Sequence, residues 1–533
     1  NALMNATTGT VTATIDGNSA DLDGLTSDAA SNATNALTIT VNDTATAASG
    51  AAIADATNAA TVDFSAGGIT DSFGAVVDGT AVSANMQKVD AKDADVNVTI
   101  SGTVANMSAG NVTGLNALMN ATTGTVTATI DGNAAELDDL QATGTTSTQA
   151  LTITVDDAVT AAQGAAIADA TSVATVDFSA AGVNDAFANL VNVGGGTVSA
   201  DMAKVDAKDA NVNVTVNDAA LANMSAADVT DLNALMNATT GTVTATIDGN
   251  AAELDDLQAT GTTSTQALTI TVDDAQTGAA GVTALNTIAA STTGSVTATI
   301  SGNSADLDDL TATGTTATQA YTITVNDTAT VASGAAIADA TNAATVDFSA
   351  GGITDSFGAV VDGTAVSANM QKVDAKDADV NVTISGTVAN MSAGNVTGLN
   401  ALMNATTGTV TATIDGNAAE LDDLQATGTT STQALTITVD DAVTAAQGAA
   451  IADATSVATV DFSAAGVNDA FANLVNVGGG TVSADMAKVD AKDANVNVTV
   501  NDAALANMSA ADVTDLNALM NATTGTVTAT IDG

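Results

Sequence analysis

The chain has 533 residues, with 8 Lys, no Arg, His, Cys, Trp or Pro, and 60 acidic residues, for a formal net charge of −52. Without His or Cys it can build neither a conventional zinc site, nor a thiol nucleophile, nor a Ser-His-Asp triad. The charge argues against binding nucleic acid or an anionic membrane surface, and no run approaches the roughly 18 apolar residues of a membrane span.

In chain order, the phrase NALMNATTGTVTATIDG opens at Asn1 and returns at Asn116, Asn233, Asn400 and Asn517, with a degenerate version at Asn286. It delimits blocks 1–115, 116–232, 233–285, 286–399, 400–516 and 517–533, read as one continuous repeat array. Residues 48–249 recur letter for letter as 332–533, a stretch of 202 residues at an offset of 284. A single catalytic pocket gains nothing from an identical copy, whereas length does. Because residues 1–17 are identical to 517–533, the array is expected to be a window on a longer polypeptide, with any targeting signal outside it.

The first block opens on a strict alternation: Val11, Ala13 and Ile15 against Thr10, Thr12, Thr14 and Asp16. Leu37, Ile39 and Val41 then alternate with Thr38 and Thr40, and later Val96, Val98 and Ile100 with Asn97, Thr99 and Ser101. Period two with β-branched residues predicts half-buried strands. In the second block the four segments fall at 125–132, 150–157, 174–180 and 210–218, and the short block 233–285 keeps only the first two kinds. Nineteen such segments occur, with starts 24 to 36 residues apart. Between them the spacing turns helical. Val229, Leu232 and Leu235 recur every third residue, and the pairs Ser225/Asp228 and Thr160/Gln163 have the spacing of N-terminal capping boxes.

Connections of 16 to 29 residues are too long for tight hairpins; they favour parallel pairing through right-handed crossovers. The predicted fold is an α/β solenoid, one strand per coil with short helices or helical loops behind, spanning roughly 90 Å at about 4.8 Å per coil. The alternatives are an all-β solenoid or tandem β-sandwiches, although sandwich strands usually come every 8 to 12 residues or so. The leucine-rich signature L-x-x-L-x-L-x-x-N is absent.

All but three of the acidic residues (Glu136, Glu253 and Glu420) are Asp. Many stand at strand exits, and Asp16, Asp43, Asp131, Asp156, Asp157, Asp248, Asp415 and Asp440 are candidate calcium ligands. Stacked coils would bring such carboxylates within about 5–10 Å of one another, a repulsion that calcium or high ionic strength relieves. The competing reading, which the residue types favour, is turn and cap chemistry, since Asp and Asn are the preferred residues there. Neither a D-x-D-x-D-G loop nor a G-G-x-G-x-D tandem is present.

Two further signals recur. Thr-x-Thr rows would form a flat polar sheet face, either an ice-binding array or a solvated or packing surface. The lysines occur only as the pairs Lys88/Lys92, Lys204/Lys208, Lys372/Lys376 and Lys488/Lys492, each in K-V-D-A-K-D-A. They either neutralise nearby Asp90, Asp93 and their equivalents or dock an acidic neighbour, and the first reading is the stronger. Asn-x-Thr/Ser sequons at Asn5, Asn97, Asn106 and Asn111 are expected by chance in so Asn- and Thr-rich a chain.

Coils such as TGTVTATIDGNAAELDDL followed by ALTITVDD resemble the Thr/Ala/Asp-rich repeats of giant cell-surface proteins of marine cyanobacteria and other aquatic bacteria. The resemblance covers the whole chain in composition and repeat style. It implies an extracellular or cell-surface location, great length, and a role in coats, motility or adhesion. The functional expectation is a non-enzymatic, self-associating filament, sheath or surface layer, with open sheet edges at the ends of the array as contacts. A rigid adhesin stalk carrying a terminal binding module is the second expectation, ice binding the third, and a polysaccharide lyase a distant fourth.

Overall fold

The computed structural model describes residues 1–59, 61–343 and 345–532. Ala60, Ala344 and Gly533 lie outside the described residues. The chain divides into two compact units, Asn1–Ile270 with Ala290–Gly294, and Thr271–Ala289 with Ser295–Gly533.

Each of the nineteen predicted segments contains a strand, and consecutive coils pair in parallel. In the first unit Thr10–Gly17 pairs with Thr34–Val41 in an unbroken register, Thr10 opposite Thr34 and Gly17 opposite Val41. Further along, Val98–Val104 pairs with Thr125–Gly132, which pairs with Thr148–Val155, which pairs with Val176–Asp177. The second unit repeats the pattern, from Ser295–Gly302 with Thr318–Val325 to Val382–Val388 with Thr409–Gly416 and Thr432–Val439. Parallel strands joined by helical crossovers make each unit an α/β solenoid. Among the described residues, antiparallel pairing is confined to small hairpins such as Val77–Asp78 with Ala81–Val82. That pattern does not fit tandem sandwiches.

Alternation sets the core. In Thr125–Gly132 the inward Val126, Ala128 and Ile130 are buried, while Thr127 and Thr129 face out. Register places Ala128 opposite Leu151 and Ile130 opposite Ile153, so a small residue beside a large one keeps the stack close-packed. Each fully buried Leu or Ile contributes about 2 kcal/mol. Behind the sheet, Ala226–Ala238 buries Val229, Leu232, Leu235 and Met236, and the predicted Ser225/Asp228 capping box forms. Ala161–Asp169 starts on the Thr160/Gln163 box. Its Gly164 lies so close to the next helix that a Cβ there would meet Val205 Cγ2 at 2.6 Å. That partner, Ala200–Lys208, runs through the lysine motif with Met202 and Val205 inward; nothing in the sequence pattern had marked it as helical.

The third coil of each long block departs from expectation. Segment 174–180 yields only Val176–Asp177, which pairs back to the preceding coil. A separate strand, Val183–Asp185, pairs forward to Val214–Val216. Between them Gly182 adopts φ 69°, and a Cβ on it would meet the Asn213 carbonyl oxygen at 2.2 Å. Only Val176 and Phe178 alternate before the Ser-Ala-Ala-Gly turn, so the inward face is too short to hold a full strand. The sheet therefore has a split seam once per long block.

Candidate functional site

The recurring polar residues converge on the seams between coils. Asp43 Oδ1 accepts the Ser19 amide at 2.6 Å and Asp157 Oδ1 accepts the Ala134 amide at 2.6 Å. These amides open the short helices Ser19–Leu22 and Ala134–Leu137, whose own N-cap residues, Asn18 and Asn133, make no side-chain cap bond. The helix is capped by the following coil. Asp131 and Asp415 accept the amides of Asn106 and Asn390, and Asp248 accepts that of Asn223 at 2.5 Å. These three asparagines hold φ of 52°, 53° and 52°, a left-handed turn that Asn tolerates. Asp156 and Asp440 are exposed and bond through their own amides to Gly132 and Gly416 carbonyls at 2.9 Å each. Asp16 is exposed at the end of its strand, opposite Thr40.

The structure thus spreads the eight predicted residues along the seams. Among the described residues, no group of three or more Asp or Glu comes together in a way that could hold a metal ion. The turn-and-cap reading describes five of the eight, with the caps reaching across coils instead of acting locally.

Further seam residues escaped the sequence reading. Asp71, Asp185, Asp355 and Asp469 accept the first amide of the preceding coil's helix, at Ala47, Ala161, Val331 and Ala445, at 3.0 to 3.1 Å. Each lies 24 residues after its donor, a spacing visible in the sequence once the stacking is known. Asn97 and Asn213 side chains accept the Thr125 and Thr242 amides at 2.7 and 2.8 Å. The buried Thr122 hydroxyl donates to the Val96 carbonyl at 2.7 Å and accepts the Gly124 amide at 2.9 Å.

All eight lysines also bind backwards. Lys88, Lys204, Lys372 and Lys488 pair with Asp55, Asp169, Asp339 and Asp453 at 2.6 to 2.7 Å. Lys92 and Lys376 donate to the Ala59 and Ala343 carbonyls, while Lys208 donates to Thr171 and Val173 and Lys492 to Thr455 and Val457. The expected partners Asp90, Asp93 and their equivalents are not the ones used: the first lysine of each pair neutralises an Asp at the C-terminal end of the preceding coil's helix, where a cation suits the helix dipole, and the second binds backbone carbonyls just beyond that end.

An open cleft recurs at the split seam. It measures about 710 Å³ beside Asp177, Lys208 and Asp209, about 360 Å³ beside Asp347, Lys376 and Asp377, and about 470 Å³ beside Asp461, Lys492 and Asp493. Ser65, Ser179, Ser349 and Ser463 hold the carboxyls of Asp63, Asp177, Asp347 and Asp461 below the usual carboxylate range by hydrogen bonding. Burial pushes Asp93 and Asp377 up to about 6, helped by the adjacent Asp95 and Asp379. Burial also lowers the Lys208 ammonium. On the outer face the predicted threonine rows exist in part: Thr103, Thr129 and Thr152 stand in one row, whereas in the next row Thr154 lies between Asp131 and Asp177.

No family model matches the chain, and no curated protein sequence does. Among solved structures it is similar to the leucine-rich-repeat ectodomain of the Arabidopsis receptor kinase HAESA, solved with an N-terminally extended IDA peptide hormone ligand. The match covers 90% of this chain and 67% of that one, at 8% identity and a TM-score of 0.16, a likeness too slight to transfer a ligand or a partner.

Proposed function

We propose that the protein is a structural repeat scaffold, a stretch of an extracellular filament, sheath or surface layer that associates with further copies of itself, on a bacterial cell surface. One observation carries this reading: the Asp, Asn, Lys and buried Thr side chains that recur in every long block are used to fasten one coil to the next. Chemistry-bearing residues spent on cohesion suit an object selected for length and stiffness. On this reading the chain is not an enzyme, and its acidity keeps the surface hydrated in a salty medium.

Sedimentation velocity across a concentration series, with electron micrographs of the same samples, tests the proposal. Concentration-dependent growth into filaments or sheets is expected. Monodisperse particles at every concentration would replace it with the stalk reading, in which the scaffold only holds a binding module at a distance.

A further inference from the structure

The long blocks are of two kinds, and they differ at the split seam. In blocks 1–115 and 286–399 the turn after the lysine helix reads Lys-Asp-Ala-Asp (Asp93 and Asp95, Asp377 and Asp379). In blocks 116–232 and 400–516 it reads Lys-Asp-Ala-Asn (Asp209 and Asn211, Asp493 and Asn495). The first Asp of each turn does the same work in all four. Asp93, Asp209, Asp377 and Asp493 are at least nine-tenths buried. Each accepts the amide of a core phenylalanine in the preceding coil, at 2.8 Å from Phe64, 3.1 Å from Phe178, 2.9 Å from Phe348 and 3.1 Å from Phe462. This bond closes the seam where the strand is only two residues long.

The second residue decides what surrounds that carboxylate. Asn211 and Asn495 donate their amides to it at 3.3 and 3.2 Å and bring no charge. Asp95 and Asp379 bring a second carboxylate. The other charges at the seam do not cancel it. Asp347, the equivalent of Asp63, lines the same cleft and is held ionised by Ser349. Lys376 points its ammonium at the Ala343 carbonyl, as Lys92 does at Ala59. Asp90 and Asp374 keep a buried, unpartnered Oδ1 on the adjoining helix, as do Asp206 and Asp490 in the other blocks; burial raises all four carboxyls, and the charges of Asp209 and Asp493 raise the latter two further.

We propose that the Asp-Asp seams of blocks 1–115 and 286–399 are proton-operated joints, tightened by mild acid through the Asp93/Asp95 and Asp377/Asp379 pairs, while the Asp-Asn seams, which lack the second carboxylate, respond less over the same range. One bound proton per pair removes the charge that burial penalises, and with it the repulsion from the second carboxylate, and leaves an oxygen free to keep the phenylalanine amide. Because burial lifts the buried member to about 6 in the folded chain, against 3.8 for an ordinary Asp carboxyl, the seam is least stable at neutral pH. Stability returns as pH falls through about 6 and is complete below about 3.8.

Hydrogen exchange followed by mass spectrometry reads each seam directly, through peptides spanning Phe64 and Phe348 and, as internal controls, Phe178 and Phe462. The expected result is that the ratio of protection between the two sets rises about tenfold or more between pH 7.5 and 5, one pKa unit being tenfold in an equilibrium. The variant D95N/D379N copies the residue of the sister blocks and is expected to flatten the ratio. N211D/N495D is expected to give the control seams the same pH response. A flat ratio in the unmodified chain, or variants that leave it unchanged, overturns the proposal whether or not the chain forms filaments.

Discussion

Blocks 1–115 and 116–232 build the same coils by different means, and the clearest contrast lies in the hairpin of the third coil. In the first block Val77–Asp78 and Ala81–Val82 form a tight hairpin that lies against Gly114 of helix Ala109–Ala121. A Cβ at Gly114 would meet Val77 Cγ1 at 2.4 Å and the Gly79 carbonyl at 2.6 Å. In the second block the hairpin between Val191 and Val198 carries three consecutive glycines, and the helix presents Asp231 where the first has Gly114. The fully buried Asp231 accepts the Gly194 amide at 2.5 Å and the Gly196 amide at 2.7 Å, both glycines having positive φ. One solution is steric closeness; the other is a carboxylate seated in a nest of amides. The nearby short helices differ likewise. Phe73–Val76 follows Ser72, whereas Phe187–Leu190 follows Ala186, which cannot cap, and Asp218 of the next coil accepts the Phe187 amide at 2.6 Å. The buried Asp231 carboxylate is tolerated because both of its oxygens accept an amide, and what the array preserves is the seam, not the residue that closes it.

The largest test of this contrast is to exchange the two solutions. Gly114→Asp places a charge against a hairpin too short to receive it, and should destabilise its block by about 3–5 kcal/mol in denaturant unfolding. Asp231→Gly removes the acceptor of the half-buried Gly194 and Gly196 amide bonds and should cost about 1–3 kcal/mol. If both exchanges are neutral, the hairpins are interchangeable and the contrast fails. Next in size are the caps. Asp218→Ala should cost about 1–2 kcal/mol, while Ser72→Ala, whose side chain makes no cap bond, should change stability by only a few tenths. Equal losses would mean that the cross-coil bond of Asp218 contributes no more than an N-cap residue without a cap bond.

Smaller still are the half-exposed ion pairs. Lys88→Met and Lys204→Met should each cost about 0–1 kcal/mol, shrinking as salt is added. A larger loss in one block alone would reveal a network that the other lacks. The smallest expected effect is that of a chelator. The oxygens of Asp43, Asp131, Asp157, Asp248 and Asp415 already accept backbone amides, so the thermal midpoint should not move. A fall of several degrees would instead point to calcium at the strand exits.

Strands and long helices were legible before any coordinates. Period-two alternation names Val126, Ala128 and Ile130 as inward, and the Ser225/Asp228 and Thr160/Gln163 boxes mark two helix starts, because these signals depend only on neighbours a few residues away. The lysine helix Ala200–Lys208 was not legible, since only Met202 and Val205 mark its inner face. Nor was the split third coil, where the inward alternation stops at Phe178 and the turn through Gly182 is pressed against Asn213 of the next coil.

The partners of the acidic residues show most plainly where sequence reading stops. Asp is a turn and cap residue by its short carboxylate, and residue type and spacing alone place these positions in amide-rich turns of a stacked, parallel repeat. Which amides they take across a seam depends on residues 23 to 37 positions away, as with Asp157 and Ala134, Asp218 and Phe187 or Asp231 and Gly194. Such pairs meet only when one coil lies on the next. Hydrogen bonding is short-ranged and directional, so tertiary stacking alone decided that the acid of this chain fastens its own coils.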